Sequence, residues 1–226
     1  MGIKLEKRPS YAVLAVWCAL FFTVWTLQEV ILKPVTGGMF SPLQTQLFYG
    51  GLKLLVWTLP AVILIRVFGG GLFLTLREML TNKIPWPKML AAAGAFCVYQ
   101  LAGALLRFGK LAVHRDFEPL GLIGAVLVVG LTEEIVFRGW LLNALIKKMP
   151  EQAAISLTSA LFVLIHFPIW STKGYFSDAF TLITGIVSIF ALSLIFSYAF
   201  LKTKNIIAPS LLHMLWNLLV VVLSGG

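Results

Sequence analysis

The chain has 226 residues, of which 59% are hydrophobic and only 12% are charged, and its formal net charge is +9. Soluble domains usually carry about 25% charged residues, so this composition excludes an ordinary soluble domain and predicts a polytopic membrane protein. A positive balance in a soluble protein would suggest nucleic-acid binding. Here the Lys and Arg residues mostly flank apolar stretches, where they orient membrane helices. We therefore expect a lipid bilayer around the protein and no nucleic-acid partner.

The apolar stretches predict the membrane helices, since a spanning helix needs about 20 mostly apolar residues. About seven spans are expected, at 11–32, 43–67, 89–106, 119–146, 151–170, 179–201 and 206–223. The range is six to eight, because the third span is short and Pro209 interrupts the last. Residues 72–82 predict a short amphipathic helix at the membrane interface. The expected fold is an all-α transmembrane helical bundle that forms a single membrane domain over residues 1–226.

Positive charge predicts the orientation of these spans. With a cytoplasmic N-terminus, the segments on that side hold more Lys and Arg residues than the segments on the opposite side, among them Lys7, Arg8, Lys147 and Lys148. Cytoplasmic loops carry such an excess, so we expect the N-terminus to be cytoplasmic. The compact size and the lack of a eukaryotic targeting signal favour a bacterial plasma membrane.

Three charged residues lie inside the fourth predicted span, where an ionisable group costs about 2.5–3.5 kcal/mol on insertion scales. Glu134 and Arg138 are i,i+4 neighbours on one helical face, so Arg138 can neutralise Glu134. Glu133 lies well around the helix from Arg138 and is left to face another group. Such a cluster indicates a functional site, although a buried charge cluster can also serve only to fix helix packing.

Two further polar motifs lie in the fifth and seventh spans. His166 shares a helical face with Phe162, and in an antiparallel hairpin it comes to a depth similar to that of Glu133. His213 and Asn217 are again i,i+4 neighbours. Both side chains can donate hydrogen bonds in one direction, which suits an anionic oxygen that develops during attack on a carbonyl. The same pair can also clamp two membrane helices together.

The remaining polar residues within or near the spans receive no catalytic role. Glu29 and Lys53 fall in or near the first two spans, where such residues pair, snorkel or line a cavity. His114 lies in the charged loop 107–118 and is expected to be solvated. Two histidines with one or two glutamates can ligate zinc, so a zinc-dependent membrane protease is the main mechanistic alternative.

The three motifs, in this order and inside apolar helices, resemble the CAAX protease and bacteriocin-processing family of intramembrane glutamate endopeptidases. The resemblance covers about residues 119–223, which we take as the catalytic core. The family motifs are Glu-Glu-x-x-x-Arg, Phe-x-x-x-His and His-x-x-x-Asn. Their residues in this chain are Glu133, Glu134, Arg138, Phe162, His166, His213 and Asn217.

The resemblance implies a peptidase mechanism that needs no metal or other cofactor. Glu133 and His166 would hold and activate a water, and His213 and Asn217 would stabilise the oxyanion. Supporting roles would fall to Glu134, Arg138 and Phe162.

The resemblance implies a class of substrate, and the sequence leaves alternatives to proteolysis open. The substrate would be a membrane-associated or lipidated peptide or protein that enters from the bilayer or through a cavity between helices. One alternative is a non-proteolytic membrane partner or immunity protein of the same fold, which would bind another membrane protein. Another is a small transporter that uses Glu133 as a proton site.

Overall fold

The computed structural model describes residues 8–111, 113, 119 and 121–223 of the chain. These residues form a bundle without β-strands. We number its main helices α1 (Tyr11–Thr36), α2 (Pro42–Gly71), α3 (Leu76–Thr81), α4 (Trp86–Phe108), α5 (123–145), α6 (Glu151–Thr172), α7 (Ala179–Thr203) and α8 (Ile207–Leu223). The loop position predicted for His114 lies outside the described residues.

The helices of the described part of the chain agree with the predicted membrane bundle. Five of them, α1, α2, α4, α6 and α7, are long and apolar enough to cross a membrane. The apolar helix α8 is shorter, with 17 residues, and α5 carries the charged residues of the first motif. With α5 and α8, these helices follow the order of the predicted spans. The prediction of an all-α polytopic bundle is therefore confirmed.

The structure corrects one predicted detail of these elements and shortens another. Pro209 does not interrupt the last helix, because α8 begins at Ile207 and Pro209 lies in its first turn. The first N–H groups of a helix have no acceptor within it, so proline is tolerated there. The predicted interfacial helix 72–82 is helical only over Leu76–Thr81. Thr75 starts this helix by accepting from the Glu78 N–H, and the bond that the Thr75 N–H returns lowers the pKa of the Glu78 carboxyl.

The helix α5 is enclosed by its neighbours α2, α6 and α8. Its residues 132–145 are all buried apart from Ile135, which is half-buried. Gly130 brings α8 close, because a Cβ atom at this position would lie 2.6 Å from Met214 Cγ and 3.1 Å from Met214 N. Aromatic side chains join α1 and α2 to α5: the ring centroids of Phe21 and Phe137 lie 6.0 Å apart, and those of Phe68 and Trp140 lie 5.9 Å apart. This packing places the polar residues of α5 against those of its neighbours.

Parts of these helices have the wider i→i+5 hydrogen bonding of a π-helix, over Gln28–Leu32, Leu54–Thr58, Ile123–Val128 and Ile135–Leu142. Such segments change the direction in which the following side chains point, and they are frequent at functional sites. One of them directly follows Lys53 and another contains Arg138. The polar residues of α2 and α5 therefore lie where the helical repeat is locally irregular.

Candidate active site

Glu134 and Arg138 form the ion pair that their i,i+4 spacing predicts. Arg138 Nη1 lies 2.9 Å from Glu134 Oε1, and both side chains are fully buried. The guanidinium also donates from Nη2 to Ser193 O and Oγ, at 2.9 and 2.6 Å, and from Nε to Ser197 Oγ at 3.4 Å. Its Cζ lies 4.7 Å from the centre of the Phe162 ring. The pair therefore fixes α5 against α7, and the positive charge of Arg138 compensates the negative charge of Glu134.

His213 of α8 lies between the two glutamates of α5. Its Nδ1 is 2.9 Å from Glu134 Oε1, and its Nε2 is 3.9 Å from Glu133 Oε2. Glu134 is a paired carboxylate that can only accept, so we assign a proton to Nδ1 of the imidazole. The ring stacks on Phe196, with centroids 4.8 Å apart and an interplanar angle of 18°. His213 is thus held with Nε2 directed at Glu133.

Glu133 is paired with a lysine of another helix. Lys53 Nζ donates to Glu133 Oε1 at 2.8 Å, and the two residues are only 7% and 6% exposed. Nζ also lies 4.2 Å from the centre of the Trp57 ring. Our interpretation of the sequence gave Lys53 no part in the chemistry, and it missed this contact across 80 residues. The signal available in the sequence was a lysine within a predicted span.

His166 lies at the break between the two helical parts of α6, where it precedes Phe167–Thr172. Its Nδ1 is 2.9 Å from the Phe162 carbonyl oxygen. A carbonyl oxygen only accepts, so Nδ1 is the protonated nitrogen of the neutral ring and Nε2 keeps its lone pair. The side chain of His166 lines the same cavity as Glu133. The motif residue Phe162 thus orients the histidine through its backbone.

Asn217 lies one turn beyond His213 on α8. Its Nδ2 donates to the backbone oxygen of Ala125 on α5 at 3.0 Å. This contact is the helix–helix clamp that the spacing of the third motif allows. The side chain also lines the cavity that Glu133 lines, and a carboxamide carries two N–H groups. One donor therefore remains for a ligand.

These side chains surround one cavity of about 300 Å³ inside the bundle. Volumes of this order are found at the lower end of the range for small-molecule and cofactor pockets. Its polar lining includes Lys53, Glu133, His166, His213 and Asn217, together with Gln28, Lys33, Gln46 and Tyr49 of α1 and α2. The structure therefore brings Glu133, both motif histidines and Asn217 to one cavity, with the Glu134–Arg138 pair buried behind them.

The zinc alternative requires Glu133, His166 and His213 to converge as ligands. Among the residues that the structure describes, no group of three or more His, Cys, Asp or Glu side chains is arranged to hold a metal ion. Glu133 Oε1 instead accepts from the Lys53 ammonium. The cavity as it stands combines an acid–base set with a buried cation.

Comparison with known proteins shows a similarity to one family. Residues 115–219 match the family model described as type II CAAX prenyl endopeptidase Rce1-like. Over this segment, which is less than half of the chain, the protein is similar to a family of CAAX prenyl endopeptidases. The resemblance inferred from the three motifs is thus confirmed, and the family is one of membrane proteases. No curated protein and no solved structure gives a significant match. Lys53 lies outside the matched segment.

Proposed function

We propose that this protein is an intramembrane endopeptidase in which Glu133 activates a water for attack on a peptide carbonyl. The observation that carries the proposal is that the two carboxylate oxygens of Glu133 have different contacts. Oε1 accepts from Lys53, while Oε2 is directed at His213 Nε2 within the cavity. An ionised carboxylate held in this way is a general base for a water bound at Oε2. The similarity of residues 115–219 to a protease family supports the same class of reaction.

His166 completes the water site in this proposal. Its Nδ1 is fixed on the Phe162 carbonyl, so the lone pair of Nε2 remains to accept from the same water. The water then has two acceptors, Glu133 and His166, and no metal ion is needed to orient it. This arrangement supports the glutamate mechanism over the zinc alternative.

His213 and Asn217 stabilise the oxyanion in this proposal. Asn217 keeps one amide N–H for the purpose while the other donates to Ala125. His213 already donates from Nδ1 to Glu134, so donation from Nε2 requires the doubly protonated ring. Hydrogen bonds of this kind act strongly in a cavity from which bulk water is excluded.

The substrate that we propose is a lipidated or otherwise membrane-associated peptide. The matching family model is named for prenyl endopeptidases, and the cavity lies between helices that are apolar enough to face lipid. A prenylated chain end can therefore partition into the bilayer and reach the cavity from the side. We place the protein in a bacterial plasma membrane, with its N-terminus in the cytoplasm.

The test compares the wild type with Glu133→Gln, which keeps the shape of the side chain and removes its basicity. Both proteins are reconstituted in lipid nanodiscs with a fluorogenic CAAX peptide, farnesylated or not. General bases contribute about 10²–10⁴ in rate, so the variant should lose at least about 10² in kcat. Equal cleavage by the two proteins would overturn the proposal.

A second arm does not depend on the chosen peptide. Membrane peptides are compared by mass spectrometry between cells that express the wild type and cells that express Glu133→Gln. Peptides that accumulate uncleaved with the variant identify the substrate. If neither arm distinguishes the two proteins, the alternative of a non-proteolytic membrane partner or immunity protein replaces the peptidase.

A further inference from the structure

Lys53 is a buried cation in direct contact with the proposed general base. We propose that Lys53 is a positioning residue for the hydrolysis: its ammonium keeps Glu133 ionised inside the membrane and occupies Oε1, which leaves Oε2 to bind the water. The inference rests on the proposed function, because Lys53 acts through Glu133. Lys53 lies in the part of the chain that the family model does not match.

The first step of the argument is the charge of Glu133. An ionised carboxylate without a partner is strongly disfavoured in an apolar interior, so it would be present as the neutral acid, which cannot accept a proton. The Lys53 Nζ atom lies 2.8 Å from Glu133 Oε1. A counter-charge at hydrogen-bond distance favours the ionised form and thereby maintains the base.

The second step considers the other groups that face Glu133. His166 of α6 and His213 of α8 line the same cavity, and Glu134 and Arg138 lie on α5 itself. Arg138 is paired with Glu134 at 2.9 Å, so its charge is already compensated. His166 is neutral in the hydrogen-bonding pattern assigned above. His213 Nε2 lies 3.9 Å from Glu133 Oε2, and His213 Nδ1 already donates to Glu134. Lys53, at 2.8 Å, is therefore the cation in direct contact with Glu133.

The third step concerns how Lys53 itself is fixed. Its Nζ lies over the face of the Trp57 ring, 4.2 Å from the centre of that ring. The same atom lies 5.3 Å from the centre of the Trp25 ring. Aromatic faces attract cations, most strongly away from water. Trp25 Nε1 in turn donates to the Ile165 carbonyl oxygen at 2.6 Å, directly before His166. The position of Lys53 is thereby tied to the turn that holds the second acceptor of the water.

The reaction keeps the charge balanced around Lys53. The water oxygen forms a bond to the carbonyl carbon, its proton moves to Glu133 Oε2, and the electron pair of the carbonyl π bond moves to the carbonyl oxygen. The negative charge thus passes from Glu133 to the oxyanion in the same cavity. When the C–N bond breaks, Glu133 returns the proton to the leaving amine and is again the counter-ion of Lys53.

The test measures kcat/KM against pH for the wild type, Lys53→Met and Lys53→Arg, with the exposed Lys202→Met as the matched control. Without the cation, Glu133 binds a proton more readily. The acidic limb of the Lys53→Met profile should therefore move to higher pH by about one pH unit or more. Lys53→Arg restores the charge and should return the limb to within about half a pH unit of the wild type. Lys202→Met should retain the wild-type profile.

A purely structural ion pair predicts a different result. In that case Lys53→Met lowers the melting temperature and the yield, but the folded fraction keeps the wild-type pH profile, and the inference is overturned. Should Lys53→Met fail to fold, Lys53→Gln is measured in the same way and must show the same displaced limb.

The failure of this inference can be distinguished from failure of the proposed function. If Glu133→Gln is fully active, Glu133 is not the general base, and Lys53 has no role that acts through it. An inactive Glu133→Gln protein combined with an unchanged Lys53→Met profile overturns the role of Lys53 alone.

Discussion

His213 Nδ1 lies 2.9 Å from Glu134 Oε1, although the two residues are 79 positions apart in the chain. The same oxygen accepts from Arg138 Nη1 at 2.9 Å, and Arg138 donates onward to Ser193 of α7. One carboxylate oxygen thus links α5 to both α7 and α8. The second glutamate of the first motif therefore orients the site, whereas Glu133 faces the cavity.

The first prediction follows from this role of the Glu134–Arg138 pair. Arg138→Met leaves Glu134 as a buried charge without its cation, and breaking a buried pair in this way costs about 3–5 kcal/mol of stability. The variant should show a lower melting temperature and a poor yield. Thermal unfolding in detergent measures the loss, with the exposed Arg66→Met as the matched control.

The double variant Glu134→Gln/Arg138→Met checks the physical cause of that loss. It removes both charges, while the glutamine Oε1 can still accept from His213 Nδ1. We expect it to be more stable than Arg138→Met alone, because no unpaired charge is left. A double variant as unstable as the single one would show that lost packing, rather than the stranded charge, is responsible.

The second prediction concerns Asn217. Removing one oxyanion donor typically lowers kcat by about 10²–10³, so Asn217→Ala should remain measurably active. The loss of the bond to Ala125 should also lower the melting temperature slightly, since a hydrogen bond contributes about 1 kcal/mol. Turnover is therefore measured per folded protein. If the melting temperature falls while turnover per folded protein stays at the wild-type value, Asn217 is a helix clamp and no oxyanion donor.

Short-range relationships within single helices could be predicted from the sequence, and the Glu134–Arg138 contact is the clearest case. It needs only the helical repeat, which places residues four apart on one face. The apolar lengths likewise predict the order of the helices. The hydrogen bond from His166 to Phe162 is local in the same sense, because the two motif residues are four positions apart.

The contact between Lys53 and Glu133 could not be predicted in this way. It depends on how α2 and α5 are rotated and displaced relative to each other, and packing between the helices determines both. Trp57 lies in the π-helical turn that follows Lys53, and its ring centre lies 4.2 Å from the Lys53 ammonium. A charge count for each span shows only that a lysine needs a partner, and several carboxylates were available.

The third prediction tests the close approach of α5 and α8. A Cβ atom at Gly130 would lie 3.1 Å from Met214 N and 3.3 Å from Met214 Cα, so Gly130→Ala must separate the helices. Overpacking of this kind typically costs about 1–3 kcal/mol. The shift would also move His213 away from Glu133. The rate of cleavage should therefore fall by more than the loss of folded protein accounts for.

Gly94→Ala provides the matched control for that substitution. Gly94 lies in α4, and apart from the adjacent residues and the nearby backbone of its own helix, no heavy atom lies within 4 Å of an added Cβ atom there. Alanine is favoured over glycine in a helix by up to about 1 kcal/mol, so this variant should be as stable as the wild type or more stable. If Gly130→Ala behaves like Gly94→Ala, the close approach is not needed.

The fourth prediction concerns metal. The glutamate mechanism predicts that the purified protein cleaves its substrate without stoichiometric zinc. Elemental analysis of active protein should find far less than one zinc per chain. Inhibition by a chelator alone does not decide the question, because chelators can disturb membranes and substrates. One tightly bound zinc per chain, with activity lost on its removal and restored on its return, would favour the metalloprotease alternative.

The last prediction concerns orientation in the membrane. The Tyr11 hydroxyl donates to the Lys148 backbone oxygen at 2.9 Å, so the start of α1 and the turn between α5 and α6 lie on the same side of the bundle. Lys173 lies at the other end of α6, directly after its last residue. The excess of positive charge on the first side predicts that this side is cytoplasmic.

In a Cys18→Ala/Cys97→Ala background, Lys147→Cys should resist an impermeant maleimide in intact cells and react after permeabilisation, whereas Lys173→Cys should react in both. Labelling of Lys147→Cys alone in intact cells would reverse the topology and would place the N-terminus outside.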